Sequence, residues 1–539
     1  MAAVRARGVD GLRVAGGGHR QRQRAGRPRG DDDLRERLRV RALRVHALHL
    51  RPSPEARRAG QGARLHAGGA RQQADRQLHH AQLPVGGLVP AGRVRHRHGG
   101  GVARASGRGA ARGGGDGRRA VTPTPLAHGV FVRRVATPAV GSAPWPPFVV
   151  FALGCALSVG SVVGAIDLWH LRAAMEAVPT AHHRAHAVAQ VFGFVGLFIV
   201  GISLHLAPRF FGGPLPRPAF TRGLAIASMV GVITTVAGQL GALLPWSDAL
   251  AAGGAAVLAG ALAAWALWLG QLWVLGATEK QSLHRFLVVG AAWWAVAAAC
   301  WLASQLRSGQ VPLDAVWAAA LFGGAGSWLI GVFLRAGLCT LQLPHPKERA
   351  LRRLFIAWQV AALVGVVAPW VASRWFVALG CFAQAVACAL VLLTLRPWLS
   401  WRVSDGTLRP RAIQASFIFM AVFAGLESWA AAGALGVWAP ALLRDAARHV
   451  WTLGVVTLML FGFAGRMVPG FRGRPLRWPR IYDVGVLGLI VAVALRLVEL
   501  LPTRAGLSVA ASSGGVALLA IAALSTALLG SLRPLSARA

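Results

Sequence analysis

The stretch HHRAHAVAQVFGF, residues 182–194, opens an apolar run that closes with HLAPRFFGGP, residues 205–214. Three histidines fall within five positions at its start. A hydrocarbon core about 30 Å thick requires about 20 apolar residues at 1.5 Å each, and the run from the first motif to the second has that length. The pattern therefore predicts a transmembrane helix with histidines at its entrance, and we take this helix as the organising element of the fold.

The chain has two unlike parts, which meet near Pro144. Residues 1–144 carry 29 Arg against 8 acidic residues and lack Lys, Ile, Asn, Trp and Tyr. One interpretation is an Arg/Gly-rich disordered arm that contacts anionic lipid or nucleic acid. The other is a non-native extension, read upstream of the true start or out of frame in a high-GC gene. The arm has one Phe and no Trp or Tyr, so it lacks the interleaved aromatic side chains on which single-stranded bases stack, and no nucleic-acid partner is expected.

Residues 145–539 form a series of apolar stretches of membrane-spanning length, which predicts an all-α polytopic bundle of about twelve helices in a lipid bilayer. The predicted spans lie near 147–169, 184–207, 221–244, 249–276, 285–306, 313–338, 351–372, 374–396, 412–438, 447–467, 483–501 and 507–532.

Basic residues are distributed unequally between alternate loops. The loops that follow the even-numbered spans, with the tail, hold 21 Lys and Arg, and the intervening loops hold 7. Because Lys and Arg are retained on the cytoplasmic side, this split predicts that both termini are cytoplasmic. We therefore expect a multi-pass protein of the bacterial inner membrane, with the first motif at the outer face.

Several classes of chemistry have no motif in this chain. No phosphate-binding glycine loop, nucleophile elbow or HExxH helix occurs. The five cysteines lie singly in apolar runs, without the CxxC spacing of a zinc site. Histidine is therefore the residue type that points to a functional site.

His186 and His449 both fall in the first turns of spans that enter from the predicted outer face, so they lie at a similar depth. Neutral imidazole is a common axial ligand of haem iron, and a bundle holds haem between facing helices when each supplies one His. His182 stands one turn before His186 on the same helical face and is a candidate for a second ligand or for a copper site, together with His183. Purely local roles at the membrane interface remain the alternative.

Other histidines are separated from this level. His205 lies nineteen residues after His186, about 28 Å along a helix, so the two cannot share one centre. It remains a candidate metal ligand at the opposite end of its span. His284 and His345 fall in predicted cytoplasmic loops, where we expect solvated surface groups.

Ionisable residues inside spans are costly and often functional. Glu427 qualifies, and so do Arg496 and Glu499, which are three residues apart and are expected to neutralise each other. Arg209 and Arg466 are candidates for contacts with haem propionates by residue type, but the predicted cytoplasmic side separates them from His186.

Two span exits resemble each other. Gly201–Leu215 and Gly462–Leu476 match at six of fifteen positions. Together with the histidine motifs, these segments resemble the NnrS family over roughly residues 147–532. The residues that carry the resemblance are Arg184, Ala185, His186, Gln190, Phe192, Gly193, Phe194, His205, Pro208, Arg209, Arg448, His449, Gly454, Gly462, Arg466, Pro469, Gly470, Phe471, Gly473, Arg474 and Pro475.

The NnrS resemblance implies about twelve spans, haem and copper as cofactors, and a role in the nitric oxide response and nitrosative stress of denitrifying bacteria. Val188 departs from the family, because a family-like HxH motif would place a second histidine there. The chain is also similar, more distantly, to the catalytic subunit of haem-copper oxidases, which holds a haem by histidines of the second and tenth spans. Here no histidine falls within the sixth or seventh span, so oxygen reduction is not expected.

Two functional hypotheses follow from the sequence. The first is an NnrS-like haem-binding membrane protein that handles nitric oxide or metal-nitrosyl species, with His186 and His449 as haem ligands. The second is a transporter or permease without a redox centre, in which Glu427 and Arg496 contact the substrate or a proton.

Overall fold

The protein is described by a computed structural model that covers residues 143–174, 179–241, 244–307, 310–371, 373–400, 407–501 and 503–532. The predicted Arg/Gly-rich extension, residues 1–144, lies outside the described residues except for its last two positions. All secondary structure in the described ranges is helical.

Twelve of the described helices are long and apolar enough to cross a membrane, which confirms the predicted polytopic bundle. In chain order they are α1 Pro146–His170, α2 Thr180–Phe211, α3 Pro218–Leu240, α4 Ser247–Leu275, α5 Ser282–Leu306, α6 Leu313–Thr340, α7 Glu348–Trp370, α8 Arg374–Leu395, α9 Arg409–Ala434, α10 Leu443–Phe471, α11 Pro479–Leu500 and α12 Ala505–Leu532.

Three helices form the centre of the bundle. The most apolar stretches of α2, α6 and α10 are 89%, 94% and 78% buried, whereas those of the other nine helices are at most 50% buried. Glycines recur along the central helices, and small residues allow helices in a membrane to approach closely. The nine outer helices therefore face lipid, and the functional residues of a buried site must lie around α2, α6 and α10.

The packing of the helices repeats three times. α3 packs along α4, α7 along α8 and α11 along α12, while α4, α8 and α12 contact α5, α9 and α1 in turn. The sequence shows the same repeat at separations of 130 and 131 residues. The matching positions are Gly193, Gly323 and Gly454; Gly201, Gly331 and Gly462; and Pro214, Pro344 and Pro475. The bundle thus consists of three four-helix units, α1–α4, α5–α8 and α9–α12.

The backbone follows this repeat at the end of each central helix. Gly212, Gln342 and Gly473 lie 130 and 131 residues apart, and all three have the left-handed backbone that commonly ends a helix, with φ of 63°, 51° and 63°. Glycine adopts this conformation without strain, so the glutamine is the exception. The two glycine ends account for the resemblance between the second and tenth spans.

Each central helix also contains a π-helical segment near its start. These segments are Ala189–Gly196 in α2, Ala318–Gly326 in α6 and Val450–Thr457 in α10. A fourth, Ala156–Val163, lies in α1 beside α2 and includes a kink at Ser158. π-helical segments occur frequently at functional sites, and all four of these contribute residues to the lining of the cavity described next.

Candidate functional site

The spaces between the central helices differ in what fills them. Between α2 and α6, Phe192 packs on Trp294 with ring centroids 5.9 Å apart, and Trp301 packs on Trp317 at 5.7 Å. Tryptophan side chains fill this space, so its residues pack the helices together.

The space between α6 and α10 is filled in the same way. Phe322 stacks on Trp358 with centroids 4.1 Å apart, and Trp451 lies against both rings. Phe423 of α9 closes the cluster against Trp451 at 4.8 Å.

The space between α2 and α10 holds a cavity of about 370 Å³, bounded also by α1, α6, α11 and α12. Small residues line its walls where the other two spaces have aromatic rings. They are Gly160, Ser161, Gly164 and Ala165 on α1 and Ser513, Gly514 and Ala517 on α12. The cavity therefore exists because α1 and α12 present little side-chain volume.

The cavity is polar toward the end at which α2 and α10 begin, which we call the histidine end. Residues lining that part include Asp167, His183, Asp445, Arg448 and Arg496. Most of the deeper positions are apolar, namely Val191 and Val195 on α2, Leu453 on α10, and Ala517 and Ile521 on α12, whereas Gln190 and Thr457 are polar. The arrangement suits a ligand with a flat apolar body and a polar edge.

His186 is held in one orientation by α1. Its Nδ1 donates a hydrogen bond to the carbonyl oxygen of Gly160 at 2.5 Å. The ring lies so close to Gly164 that a Cβ added there would be 2.5 Å from the Cε1 of His186. Since Nδ1 carries the proton, Nε2 is the ring nitrogen with a lone pair for a ligand.

His449 is anchored in a comparable way on α10. Its Nδ1 donates to the backbone carbonyl oxygen of Asp445 at 2.9 Å and lies 3.4 Å from that residue's Oδ2. Both histidines line the one cavity. The structure thus places the two predicted haem ligands at one cavity, and neither Nε2 has a hydrogen bond to any of the described residues.

Charged residues surround His449. Arg496 of α11 is buried, forms an ion pair with Asp445 and lies 3.2 Å from Oε2 of Glu499. Arg448 donates to Asp314 of α6 at 2.8 Å. Arg496 therefore contacts Glu499, as the sequence spacing suggested, but it also contacts Asp445, which the sequence had not singled out.

The structure separates His182 from His183. His182 is partly exposed, and its Nδ1 lies 3.5 Å from Oδ1 of Asp167. It does not line the cavity, whereas His183 does. His182 therefore contacts Asp167 of α1, and its role as a ligand one turn before His186 stays a prediction.

The residues at the opposite end of α2 and α10 are remote from the cavity lining. His205 is buried with its ring 4.1 Å from that of Phe471, and Arg209 donates to the backbone oxygen of His205 at 3.2 Å. Arg466 is exposed. Within the described residues, no group of three or more His, Cys, Asp or Glu is placed to hold a metal ion.

His284 is not the solvated surface residue that its predicted loop position implied. It is 2% exposed and lies in the first turn of α5. Its Nε2 donates to the carbonyl oxygen of Phe210 at 2.9 Å, and its Nδ1 accepts from the backbone N–H of Gln281 at 3.1 Å. The imidazole therefore caps α5 and ties it to the end of α2. His345 is exposed, as expected.

Glu427 is buried on α9 but lies outside the cavity lining. Its Oε2 is 3.9 Å from Nη1 of Arg444, and the same nitrogen donates to Sγ of Cys381 at 2.6 Å. These contacts join α8, α9 and α10, so Glu427 belongs to an ion pair between helices.

A bundle of twelve apolar helices around a buried cavity with two oriented histidines defines a polytopic helical membrane protein with a two-histidine site. The model of the NnrS protein family matches residues 142–533, and the chain belongs to this family. The match begins beside the change in composition near Pro144. A comparison with curated proteins finds no match to the chain.

Proposed function

We propose that the cavity between α2 and α10 binds haem, with His186 and His449 as its two axial ligands. The observation that carries the proposal is the orientation of the two rings. Each holds its Nδ1 proton on a backbone carbonyl oxygen and keeps Nε2 for iron, and both line one cavity. A hydrogen bond from the second ring nitrogen is the usual way in which a protein fixes a metal-binding histidine.

The shape and polarity of the cavity support the same ligand. The volume of about 370 Å³ is within the range of small-molecule sites. Gly160, Gly164 and Gly514 add no side-chain volume to the lining, and the inner part of the cavity is mostly apolar. Arg448, at the polar histidine end, is a cation that suits the carboxylates of the macrocycle.

Copper is not part of this proposal. His182, His183 and His205 were the candidate ligands, and the structure directs them to different surroundings. His205 packs against Phe471, and His182 faces Asp167.

We place the protein in the inner membrane of a bacterium, with both termini in the cytoplasm, where it handles or protects against nitric oxide or metal-nitrosyl products during denitrification. Family membership and the 21 to 7 distribution of basic residues support this assignment. When bound, haem would supply an iron that exchanges single electrons. His186 and His449 hold and orient that iron, and the packed aromatic clusters keep water from the remaining spaces.

The permease hypothesis predicted that Glu427 and Arg496 both contact the substrate or a proton, and only one of these two residues lines the cavity. Arg496 lines the cavity, but Glu427 lies outside the lining and is engaged with Arg444 and Cys381. A substrate path that uses both residues is therefore not favoured by this geometry.

The absorption spectrum of the purified protein tests the proposal. We expect a Soret band with bis-histidine features in the wild type, and loss or strong alteration of the band in His186→Ala and in His449→Ala. His205→Ala is the matched control, because this buried histidine of the same helix lies outside the cavity, and its spectrum should stay unchanged. A colourless wild-type protein from haem-replete cells would favour the permease, and unchanged spectra in both ligand variants would end the two-helix site.

A further inference from the structure

Arg496 is the buried cation nearest to one of the two proposed ligands. Its side chain is 3% exposed and belongs to α11, whereas the ligand His449 belongs to α10. The guanidinium pairs with the carboxylate of Asp445, and its Nε and Nη1 have no hydrogen-bond partner within the described residues. Burying an arginine in a membrane bundle is costly, so a specific role is expected.

Asp445 connects Arg496 to His449. The same oxygen, Oδ2, that pairs with Arg496 lies 3.4 Å from Nδ1 of His449. Nδ1 also donates to the backbone oxygen of Asp445 at 2.9 Å. One residue therefore presents both a carbonyl and a carboxylate to the proton of this imidazole.

The two proposed ligands differ in this respect. The Nδ1 of His186 donates to the carbonyl of Gly160, and no carboxylate among the described residues pairs with it. A carboxylate beside Nδ1–H increases the basicity of the ring and fixes its plane. Such a carboxylate stays in place only if its own charge is compensated, and Arg496 supplies that charge from the neighbouring helix.

We propose that Arg496 is a positioning residue for His449 and acts through Asp445, an inference that rests on the proposed haem site. Arg496 holds the carboxylate against the imidazole, and the carboxylate sets the orientation of the ring and its donor strength. Glu499, 3.2 Å from the guanidinium, anchors Arg496 from its own helix.

The test compares haem-loaded wild type with Arg496→Gln, Asp445→Asn and the double variant. We expect haem affinity to fall about 10–100-fold in each single variant, the usual cost of losing such an outer partner. The electron paramagnetic resonance signal of the ferric low-spin iron should shift in both. Because Arg496 acts through Asp445, the double variant should match Asp445→Asn, instead of adding the two losses.

Two further variants keep the result interpretable. Arg496→Lys retains the charge and should restore part of the affinity even if Arg496→Gln inserts poorly. Arg444→Gln removes another arginine of the histidine end that pairs with a carboxylate outside the cavity, and it should behave as wild type.

The possible outcomes separate this inference from the proposed function. A wild type and an Arg444→Gln variant that both lack haem would overturn the site itself. Haem-loaded wild type with an unchanged Arg496→Gln variant, or losses that add in the double variant, would overturn only the role of Arg496.

Discussion

The filled space between α6 and α10 and the cavity between α2 and α10 are two versions of one packing arrangement. Each is bounded by two central helices and by outer helices, and the three four-helix units repeat at 130 and 131 residues. In the first, Trp358 stacks on Phe322 and contacts Trp451. In the second, Gly164 leaves room for the ring of His186, and Gly160 leaves room for the side chain of Gln190.

The difference shows how one scaffold divides stability from binding. Aromatic rings fill a space completely and contribute buried area and dispersion contacts. Glycines do not make those contacts and leave space for a site. The aromatic clusters of the filled spaces offset the packing stability that is lost there. Changes to the two regions should therefore have different effects, on binding in one and on stability in the other.

The largest expected effect, on haem affinity, follows from adding side-chain volume to the cavity between α2 and α10. In Gly164→Ala the new Cβ would lie 2.5 Å from Cε1 of His186, so the ring must leave its hydrogen bond to Gly160. We expect haem affinity to fall at least about 10–100-fold, as for the loss of an outer partner, with membrane insertion unchanged. Titration of the purified apoprotein with haem measures the change.

Gly253→Ala is the control for this variant. Gly253 lies in the second turn of α4, and an added Cβ there would meet nothing within 4 Å. It should bind haem as the wild type does. Equal affinity in Gly164→Ala would show that His186 does not need its present orientation.

The next largest effect, on protein stability, is expected from removing an aromatic ring from the filled space between α6 and α10. Trp358→Ala removes a fully buried indole stacked at 4.1 Å on Phe322. Large-to-small changes of this kind cost about 3–5 kcal/mol, so thermal or denaturant unfolding should show a clear loss of stability. The haem bound per folded protein should not change, because the cluster contributes no residue to the proposed ligands.

Trp375→Ala provides the comparison for Trp358→Ala, since Trp375 is 62% exposed on α8. It should cost little stability. A loss of haem in Trp358→Ala that exceeds its loss of folded protein would mean that the filled and open regions are coupled, contrary to the division drawn above.

The fold was largely predictable from the sequence because bilayer thickness fixes the length of each apolar run. All twelve spans follow from that constraint. Because His186 and His449 each lie in the first turns of a span that enters from the same face, the sequence also predicted that they have a similar depth in the membrane. The resemblance between the ends of α2 and α10 was visible as well. The corresponding segment at the end of α6 is harder to recognise in the sequence, because Arg335 and Gln342 occupy the positions at which α2 has His205 and Gly212.

The details that the sequence alone could not supply depend on contacts between helices. His182 and His183 lie four and three residues before His186, so both are near its face, and only the position of α1 decides which of them meets the cavity. The contact between Arg496 and Asp445 joins different helices, and no periodicity within one helix reveals it. Asp445 did carry a signal, because it stands one turn before His449.

The smallest expected effect comes from the polar wall of the cavity. The hydroxyl oxygen of Ser161 accepts a hydrogen bond from Nε2 of Gln190 at 3.3 Å, and both residues line the cavity. A net hydrogen bond is worth about 1 kcal/mol, so Ser161→Ala should change haem affinity by about fivefold or less. Ser512→Ala, an exposed serine of α12, is the control and should change nothing. The comparison with Gly164→Ala then decides what the open region supplies. If Ser161→Ala weakens binding as much as Gly164→Ala, hydrogen bonding by the wall governs the site. If its effect stays near fivefold, the space that α1 leaves for an oriented His186 is the property that separates this region from its aromatic counterparts.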